Sequence, residues 1–579
     1  MTAFIWRFPL FFLGLLLAIR AFTAFSLDSV PAAAWIHVWI NGVLADAVAL
    51  LMVSCLLALG CLSSRPWFRW VVSGVVIAVV LIVAIAEVFF WFEFQARLDR
   101  LVFHYLAYPV EVLVFLEEQF YLKWILIPFA LIVVLLARLL AEPPELSLRS
   151  VAVVWLGAGI AAWLSGQPVI EQSRLLTQLA SNGYVGILTA ARVNETRWNG
   201  LFPGVTPARE AFKAEPSLPP MVSVDAKHVV LIIEESFAGK TWEDPKERAL
   251  HLPAFSALAG EGLRFDNVYA AGTRTTRGME SILNGFVPLP GISATERKGF
   301  ERLPSLPRAF RDHGFKTVFA YGGWPGFSNF TPYWQGIGFE KTTSRYDFPE
   351  GTFETSWGVS DRDLFAHVLG LMDELTLAAQ PIFLSTLTVS NHRPFVVPSG
   401  EANAEQRSLQ AAMRYADSAL GWFFAEARKR NWFDDTVFVV IADHAPRIYG
   451  DSLIPVESYR IPMLLISSPE VQPAVITERG SSTGIATTLL SLFHLPTKEQ
   501  FWAPSLLDGQ DGPVWIEHDY HVGELLNDRL TILARGGRFY QWTVAGHQFT
   551  PAGEIAADTL ESRRIVERFS QAHEVLYPR

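Results

Sequence analysis

Five apolar runs crowd the first third of this 579-residue chain, and they limit what it can fold into more than any other feature. They are Phe8–Phe25, Trp39–Leu62, Trp70–Phe92, Tyr121–Ala141 and the shorter Val151–Leu164. The longer runs approach or exceed the ~20 residues that a helix needs to cross a bilayer. Trp, Tyr and Phe gather at their ends, as at a membrane–water interface. A cleaved signal peptide is not expected, because no small-residue cleavage site precedes several further spans. Residues 1–166 are therefore expected to be a transmembrane domain of about five helices, with the lipid bilayer as a partner.

The short loops set the orientation. Arg7 precedes the first span, Arg65 and Arg69 separate the second from the third, and Arg138 and Arg149 flank the fourth-to-fifth connection. The first outer loop, SLDSVPAAA, has neither Lys nor Arg. The positive-inside rule then puts the N-terminus in the cytoplasm, and an odd number of spans puts the rest of the chain outside. The loop Glu93–Lys123 holds Arg97, Arg100 and Lys123 beside Asp99, Glu111, Glu117 and Glu118, and reads as an amphipathic segment on the outer surface. Asn41 and Asp46 fall inside the second span, where polar groups are costly: Asp46 is either functional or paired within the bundle.

Residues 167–220 read as a juxtamembrane helix, EQSRLLTQLASNGYVGILTAAR, followed by a linker ending in PSLPP. From 221 to 579 the pattern is that of a globular α/β domain. HVVLIIEES, KTVFAYGG, PIFLSTLTVS, TVFVVIADH and IPMLLISS are continuous apolar runs, as expected of strands covered on both faces. Helix-like stretches such as LPAFSALAGEGL, LPSLPRAFRDHG and DRDLFAHVLGLMDEL lie between them, so a mostly parallel sheet with helices on both faces is expected. RLTILARGGRFYQWTV, within Val514–Arg579, reads as an antiparallel hairpin of a small C-terminal sheet. The net charge of −10 gives no reason to expect a nucleic-acid partner, and the only cysteines, Cys55 and Cys61, lie in an apolar run, so the outer domain has neither disulfides nor a thiolate metal site.

Ligand sites in such sheets lie outside the carboxyl ends of the strands. Here those ends carry Glu234-Glu235-Ser236, Ser390-Asn391-His392 and Asp443-His444. A mixed carboxylate, imidazole and hydroxyl set suits one hard or borderline divalent ion such as Mn, Mg or Zn. A second feature is Ala270–Gly285, AAGTRTTRGMESILNG, a glycine-flanked turn that places three threonines and two arginines at the entry to a helix. Such a turn aims hydroxyls and backbone N–H groups at one point, as a nucleophile or an anion site requires.

Together these features resemble the membrane-anchored lipoteichoic acid synthase and phosphoglycerol transferase family, of the sulfatase-like alkaline phosphatase superfamily. The matching motifs are the strand ending EES, the turn GTRTTRGME, SNHRPF after a strand, ADHAPR, the late helix STGIATTLLSLFHLP and APSLLDG. The resemblance implies that Glu235, Thr275, Asp443 and His444 hold the catalytic metal, Mn before Mg or Zn. It implies that Thr275, spaced correctly from Gly278 and Met279, is the nucleophile. His392 would contact the substrate or protonate the leaving group, with Arg274, Arg277 and Trp324 also at the substrate. Glu234 is the alternative to Glu235, although the family's Glu-Ser pair favours the latter. The implied reaction moves a phosphoglycerol head group from phosphatidylglycerol to a hydroxyl of a polymer, glycan or glycolipid acceptor, through a phospho-threonine. The implied location is a bacterial cytoplasmic membrane, with the catalytic domain extracytoplasmic or periplasmic.

The chain also departs from that pattern. In the synthases a Trp and an Arg of an FWNRD-like segment contact the glycerol phosphate. The corresponding stretch here, GGWPGFSNFTPYW, keeps Trp324 but has no arginine. The sulfatase signature Cys/Ser-x-Pro-x-Arg is absent at Thr275, which argues against sulfate-ester hydrolysis, and a two-zinc phosphatase needs more ligands than the motifs supply. Two alternatives stand beside the first reading. One is a phosphoethanolamine transferase, whose family typically carries disulfides in its outer domain. The other is a non-catalytic, membrane-anchored binding module.

Overall fold

The computed structural model describes residues 2–25, 32–60, 62–99, 121–140, 173–192, 194–208, 224–400, 407–446, 450–467, 471–546 and 548–578, with isolated positions between 102 and 157 and residue 448. They fall into two compact units, Met1–Val193 and Asn194–Arg579.

In the first unit, helices Thr2–Phe25, Ala32–Gly60 and Pro66–Phe94 each contain a stretch long and apolar enough to cross a membrane. A fourth helix, Leu122–Leu140, carries a shorter apolar stretch, Trp124–Leu139. The expected fifth span, Val151–Leu164, and most of Glu93–Lys123 lie outside the described residues. Phe8, Phe12 and Leu16 pack with Val48, Ala49, Val53, Ile77 and Val80 in one apolar cluster.

Of the two readings of Asp46, the structure supports pairing: it is fully buried and meets Arg20 at 2.6 Å. The single juxtamembrane helix is instead two, Arg174–Ala180 and Gly183–Arg192, broken at Ser181-Asn182. The break follows from Asn182, whose amide donates to Asp46 at 2.8 Å while its carbonyl oxygen accepts from the Tyr184 N–H at 2.9 Å. A side chain with that local bond competes with helix continuation. Arg97, expected on an outer surface, is buried against Glu87 at 3.0 Å. Removing one member of such a pair costs about 3–5 kcal/mol, because the other charge is left buried alone.

The second unit is built on a nine-stranded sheet. In chain order its strands are β1 (His228–Glu234), β2 (Leu263–Tyr269), β3 (Lys316–Tyr321), β4 (Lys341–Thr342), β5 (Ile382–Leu387), β6 (Thr436–Ala442), β7 (Arg460–Ile466), β8 (Ala474–Ile476) and β9 (Gly480–Ser481). Across the sheet they run β4-β3-β5-β1-β6-β7-β2-β8, with β9 also on β2. The central β3, β5, β1 and β6 are parallel, whereas β7 runs against both β6 and β2. Phe310, from helix Leu306–Asp312, stacks on β5 Phe383 at 4.5 Å, and Phe424, from helix Leu409–Ala427, meets β6 Phe438 at 5.2 Å. Phe383 is level with Val229 and Phe438 with Val230, and successive strand residues face opposite ways, so helices cover both faces.

A second, antiparallel sheet follows, of β10 (Val514–His518), β11 (His521–Leu526), β12 (Arg529–Leu533), β13 (Phe539–Ala545) and β14 (Gln548–Ile555), and then the helix Leu560–Leu576. The expected hairpin is β12–β13. Residues 194–208 belong to this unit. Glu195 accepts from the Ile292 N–H and from the Tyr520 hydroxyl, both at 2.9 Å, and so ties the loop after the 275–284 helix to the second sheet.

Candidate functional site

Because β5, β1 and β6 are adjacent and parallel, their carboxyl ends open on one rim. Each is followed at once by polar residues: Glu235-Ser236 after β1, Thr388 and then Ser390-Asn391-His392 after β5, and Asp443-His444 after β6. The Asn391 amide donates to the Ser236 carbonyl at 2.7 Å, and Asp361 accepts from the Val389 and Ser390 N–H groups at 3.0 and 2.9 Å. These bonds fix the loop that carries His392. Ser236 has φ +47, an uncommon conformation for a residue with a side chain. In it the Ser236 N–H reaches Asp443 at 2.8 Å and its hydroxyl donates to Glu235 at 2.6 Å.

Ligand atoms of Glu235, Asp443 and His444 all lie within 4.8 Å of one another, and all three residues are buried. His444 Nε2 is 3.4 Å from Asp443 Oδ2 and 3.7 Å from Glu235 Oε1. Asp443 Oδ1 takes the N–H groups of Ser236 and His444, but its Oδ2 is buried with no hydrogen-bond partner among the described residues. An orphaned carboxylate oxygen beside a second carboxylate and an imidazole fits a divalent cation. The electrostatics agree. Burial and the facing Glu235 charge push the Asp443 carboxyl up to about 7. Burial also opposes ionisation of Glu235, but His392 and His444, with bonds from Ser236 and Thr275, outweigh it and hold it below the usual carboxylate range. His444 is raised, because the charges of Asp443 and Glu235 overcome the effect of burial.

Thr275 opens the helix Thr275–Asn284 and is half-buried, and its hydroxyl donates to Glu235 Oε2 at 2.9 Å. Thr276 is buried, so the turn offers its threonines unequally. The helix ends at Gly285, which has φ +52, and every residue from Thr276 to Asn284 is buried. His392 stacks on Trp357 with ring centroids 3.5 Å apart, and burial lowers its pKa below the ordinary imidazole value.

Two expected site residues are placed differently from the rest. Arg277 is 1% exposed and points into the protein, bonded to Glu280 at 2.6 Å and to the Gly291 carbonyl at 2.7 Å. It therefore braces the helix rather than facing a substrate, while half-buried Arg274 stays at the rim. Glu234 also turns away, and its carboxylate accepts from Thr388 at 2.9 Å. Adjacent residues at a strand end face opposite sides, so only Glu235 joins the cluster.

Trp324 is half-buried, and the Arg345 guanidinium lies over its ring at 4.3 Å, with Tyr346 edge-on at 6.0 Å. Arg345 also pairs with Glu354. An arginine thus stands at Trp324 after all, supplied by a separate turn. Sequence reasoning misses it, together with Trp357 and Asp361, and names Ser236 and Asn391 at the strand ends without giving them a role. Only these two, which flank Glu235 and His392, carry any local signal.

A model of the sulfatase family matches residues 227–495. Lipoteichoic acid synthase 1 of Bacillus subtilis (strain 168) is 24% identical over 412 residues, covering 62% of this chain and 63% of that protein. Lipoteichoic acid synthase of Staphylococcus aureus (strain USA300) is 23% identical over 420 residues, covering 68% of this chain and 60% of that protein. The match thus spans less than two thirds of either synthase. Among solved structures, one of a protein in the alkaline phosphatase superfamily from Vibrio parahaemolyticus is 27% identical, with a TM-score of 0.54, covering 62% of this chain and 88% of that one. Residues 227–495 are a sulfatase domain of the alkaline phosphatase superfamily, in a chain similar to the lipoteichoic acid synthases.

Proposed function

We propose that this chain is a metal-dependent phosphotransferase that moves the phosphoglycerol head group of phosphatidylglycerol to an acceptor hydroxyl, with Thr275 as the nucleophile. The observation that carries the reading is the Thr275 hydroxyl bonded to Glu235 at 2.9 Å, beside the orphaned Asp443 Oδ2. Similarity to the lipoteichoic acid synthases supports a lipid donor and a polymer, glycan or glycolipid acceptor.

Glu235, Asp443, His444 and the Thr275 hydroxyl would hold one divalent ion, Mn before Mg or Zn. When bound, such an ion lowers the pKa of a hydroxyl and neutralises charge on a phosphoryl oxygen. Thr275 Oγ1 attacks phosphorus, a Thr–O–P bond forms, and the bond from phosphorus to the diacylglycerol oxygen breaks. Glu235, which already accepts the hydroxyl's hydrogen bond, takes its proton and orients that oxygen. His392 passes a proton to the departing oxygen, and its ring is held by the stack on Trp357. The acceptor hydroxyl then gives its proton to His392 and attacks phosphorus, the bond from phosphorus to Oγ1 breaks, and Thr275 recovers its proton from Glu235, a ping-pong scheme. Arg274, Trp324 and Arg345 face the phosphoglycerol. The arrangement across the bilayer is that of a multi-pass protein with a cytoplasmic N-terminus and its sulfatase domain extracytoplasmic.

The test incubates the detergent-solubilised full chain and Mn²⁺ with phosphatidylglycerol labelled in its head group, and in parallel with labelled phosphatidylethanolamine. Label from phosphatidylglycerol trapped on Thr275, with diacylglycerol released, is expected. Label from phosphatidylethanolamine alone would make the donor wrong. No turnover and no trapped label with either lipid would leave a binding module.

A further inference from the structure

The end of β10 brings the second sheet against the helix that carries Thr275. β10 and β11 pair His518 with His521, so only Asp519 and Tyr520 form the loop between them. Both have positive φ, +49 and +67, as the tightest hairpin turn requires. Residues with side chains seldom adopt that conformation, and here bonds from around the turn hold it. Glu517 Oε1 accepts the Tyr520 N–H at 3.2 Å, and the Tyr520 hydroxyl is the one bound to Glu195.

Glu517 consequently lies against the residues that lead to Thr275. Its N–H donates to the Ala271 carbonyl at 3.0 Å. The neighbouring Ala270 N–H donates to the Tyr459 carbonyl at 2.7 Å, and the Tyr459 hydroxyl stands 3.1 Å from the Glu517 carbonyl oxygen. Two successive residues of the approach are thus tied to Tyr459 and Glu517. The Glu517 side chain adds a charge. Its Oε2 is 3.7 Å from Arg277 Nε, a buried atom with no hydrogen-bond partner among the described residues.

Arg277 does not need that charge for neutralisation. Glu280, on its own helix, already pairs with it at 2.6 Å, and also accepts the Ala294 N–H at 2.6 Å. Glu517 instead fixes the remaining edge of a guanidinium whose other edges are held by Glu280 and Gly291. The stem of Arg277 lies on Gly272, where a Cβ would fall 2.6 Å from Arg277 Cβ. A shift of Arg277 would therefore move both sides of the turn, at Gly272 and in the first turn of the helix, with Thr275 between them. An attacking oxygen tolerates little displacement. We infer that Glu517 is a positioning residue for Thr275: from the second sheet, through Arg277 and Ala271, it sets where the attacking oxygen stands. This rests on the transferase reading above.

Glu517→Gln keeps the size of the side chain, the backbone bond to Ala271 and an acceptor for the Tyr520 N–H, and removes the charge. The full chain in detergent with Mn²⁺ is followed in two reactions at varied substrate concentration. One is label trapping from phosphatidylglycerol labelled in its head group. The other is the first turnover of bis(4-nitrophenyl) phosphate, in which Thr275 Oγ1 bonds to phosphorus as the bond to 4-nitrophenolate breaks, with no lipid needed. Glu517→Gln is expected to slow the maximal rate of both by about tenfold or more, while half-saturating concentrations change by less than about twofold. The rise in melting temperature on adding Mn²⁺ is expected to persist, and Glu517→Asp, which restores the charge, to recover part of the rate. A Glu517→Gln chain that reacts at the native rate overturns the inference. So does one that loses rate, substrate affinity and the Mn²⁺ response together, which is structural damage, or a Glu517→Asp chain no faster than Glu517→Gln. Slowing of the diester reaction alone, in a protein that takes no label from phosphatidylglycerol, would preserve the positioning role and remove the transferase reading. A native chain that attacks neither substrate has no nucleophile to position, and both readings fall.

Discussion

Gly278 and Asp443 touch so closely that no side chain fits between them. A Cβ built on Gly278 would fall 2.6 Å from Asp443 Cβ and 2.9 Å from the Asp443 carbonyl oxygen. The helix that presents Thr275 is therefore pressed directly onto the carboxylate end of β6. Alanine would be favoured over glycine by about 1 kcal/mol in a helix interior on propensity alone. Gly278→Ala is nevertheless expected to lower both the melting temperature and head-group transfer, the latter about a hundredfold or more, because misplacing a reacting group by ~1 Å carries that penalty. Unchanged transfer would mean that this contact does not position the nucleophile.

Thr275→Ala should abolish both transfer and label trapping on the protein, while melting stays close to that of the native chain because the residue is half-buried at a helix start. Thr275→Ser should retain part of the activity. Label recovered on Thr273 or Thr276 would move the nucleophile.

Asp443→Asn should remove the stabilisation that Mn²⁺ confers. An ion that binds only the folded state at ~100 times its dissociation constant stabilises it by about 2.7 kcal/mol. Melting of the native chain should therefore rise with added Mn²⁺ and fall with chelator, and the variant should be insensitive to both. The readout needs no turnover.

Arg345→Ala is expected to raise KM for phosphatidylglycerol more than it lowers kcat, since its guanidinium lies on Trp324 and is not among the groups that hold Thr275. Arg345→Lys should rescue little, because a planar cation over an indole is not replaced by an ammonium. Equal losses in kcat and in kcat/KM would place Arg345 in the transition state instead.

Asp417 provides a pH test away from the site. Both its oxygens accept N–H groups, of Ala254 and Phe255, at 2.8 Å, yet burial outweighs these bonds and pushes the carboxyl up to about 6. A folded-state pKa above the unfolded one means that the native protein binds the extra proton between about pH 4 and 6. Stability contributed by this group is then present below that window and is lost as pH rises through it. The loss is about 1.4 kcal/mol for each pH unit that separates the folded from the unfolded pKa. Asp417→Asn should flatten that part of the melting-against-pH curve. An unchanged slope would assign the dependence to other carboxylates.

The parallel heart of the sheet was legible because β1, β5 and β6 are unbroken apolar runs whose polar endings stand out. β2 was not, since Leu263–Tyr269 mixes Arg264, Asp266 and Asn267 with its apolar residues and is only partly buried, with a bulge between Phe265 and Val268. β7 looks like its parallel neighbours in composition, and nothing in an apolar run states its direction. Glu235, Asp443 and His444 were found because a strand end fixes their location. Arg345 was missed because the pairing with Trp324 depends on two turns meeting in space. Arg277 was misjudged for a related reason: spacing shows which helix face a residue occupies, and here that face is covered by Glu280 and Glu517.

The bonds of Glu195 bear on how this protein is cut down for study. A shortened chain beginning at β1 would retain every described strand and the cluster of Glu235, Asp443 and His444. It would nevertheless leave the Tyr520 hydroxyl and the Ile292 N–H without their shared acceptor, beside Gly291, whose carbonyl anchors Arg274 and Arg277. Such a fragment should fold yet hold the turn that carries Thr275 loosely, whereas one beginning at Asn194 keeps the brace. The smallest faithful version of the sulfatase unit therefore starts some way before its first strand.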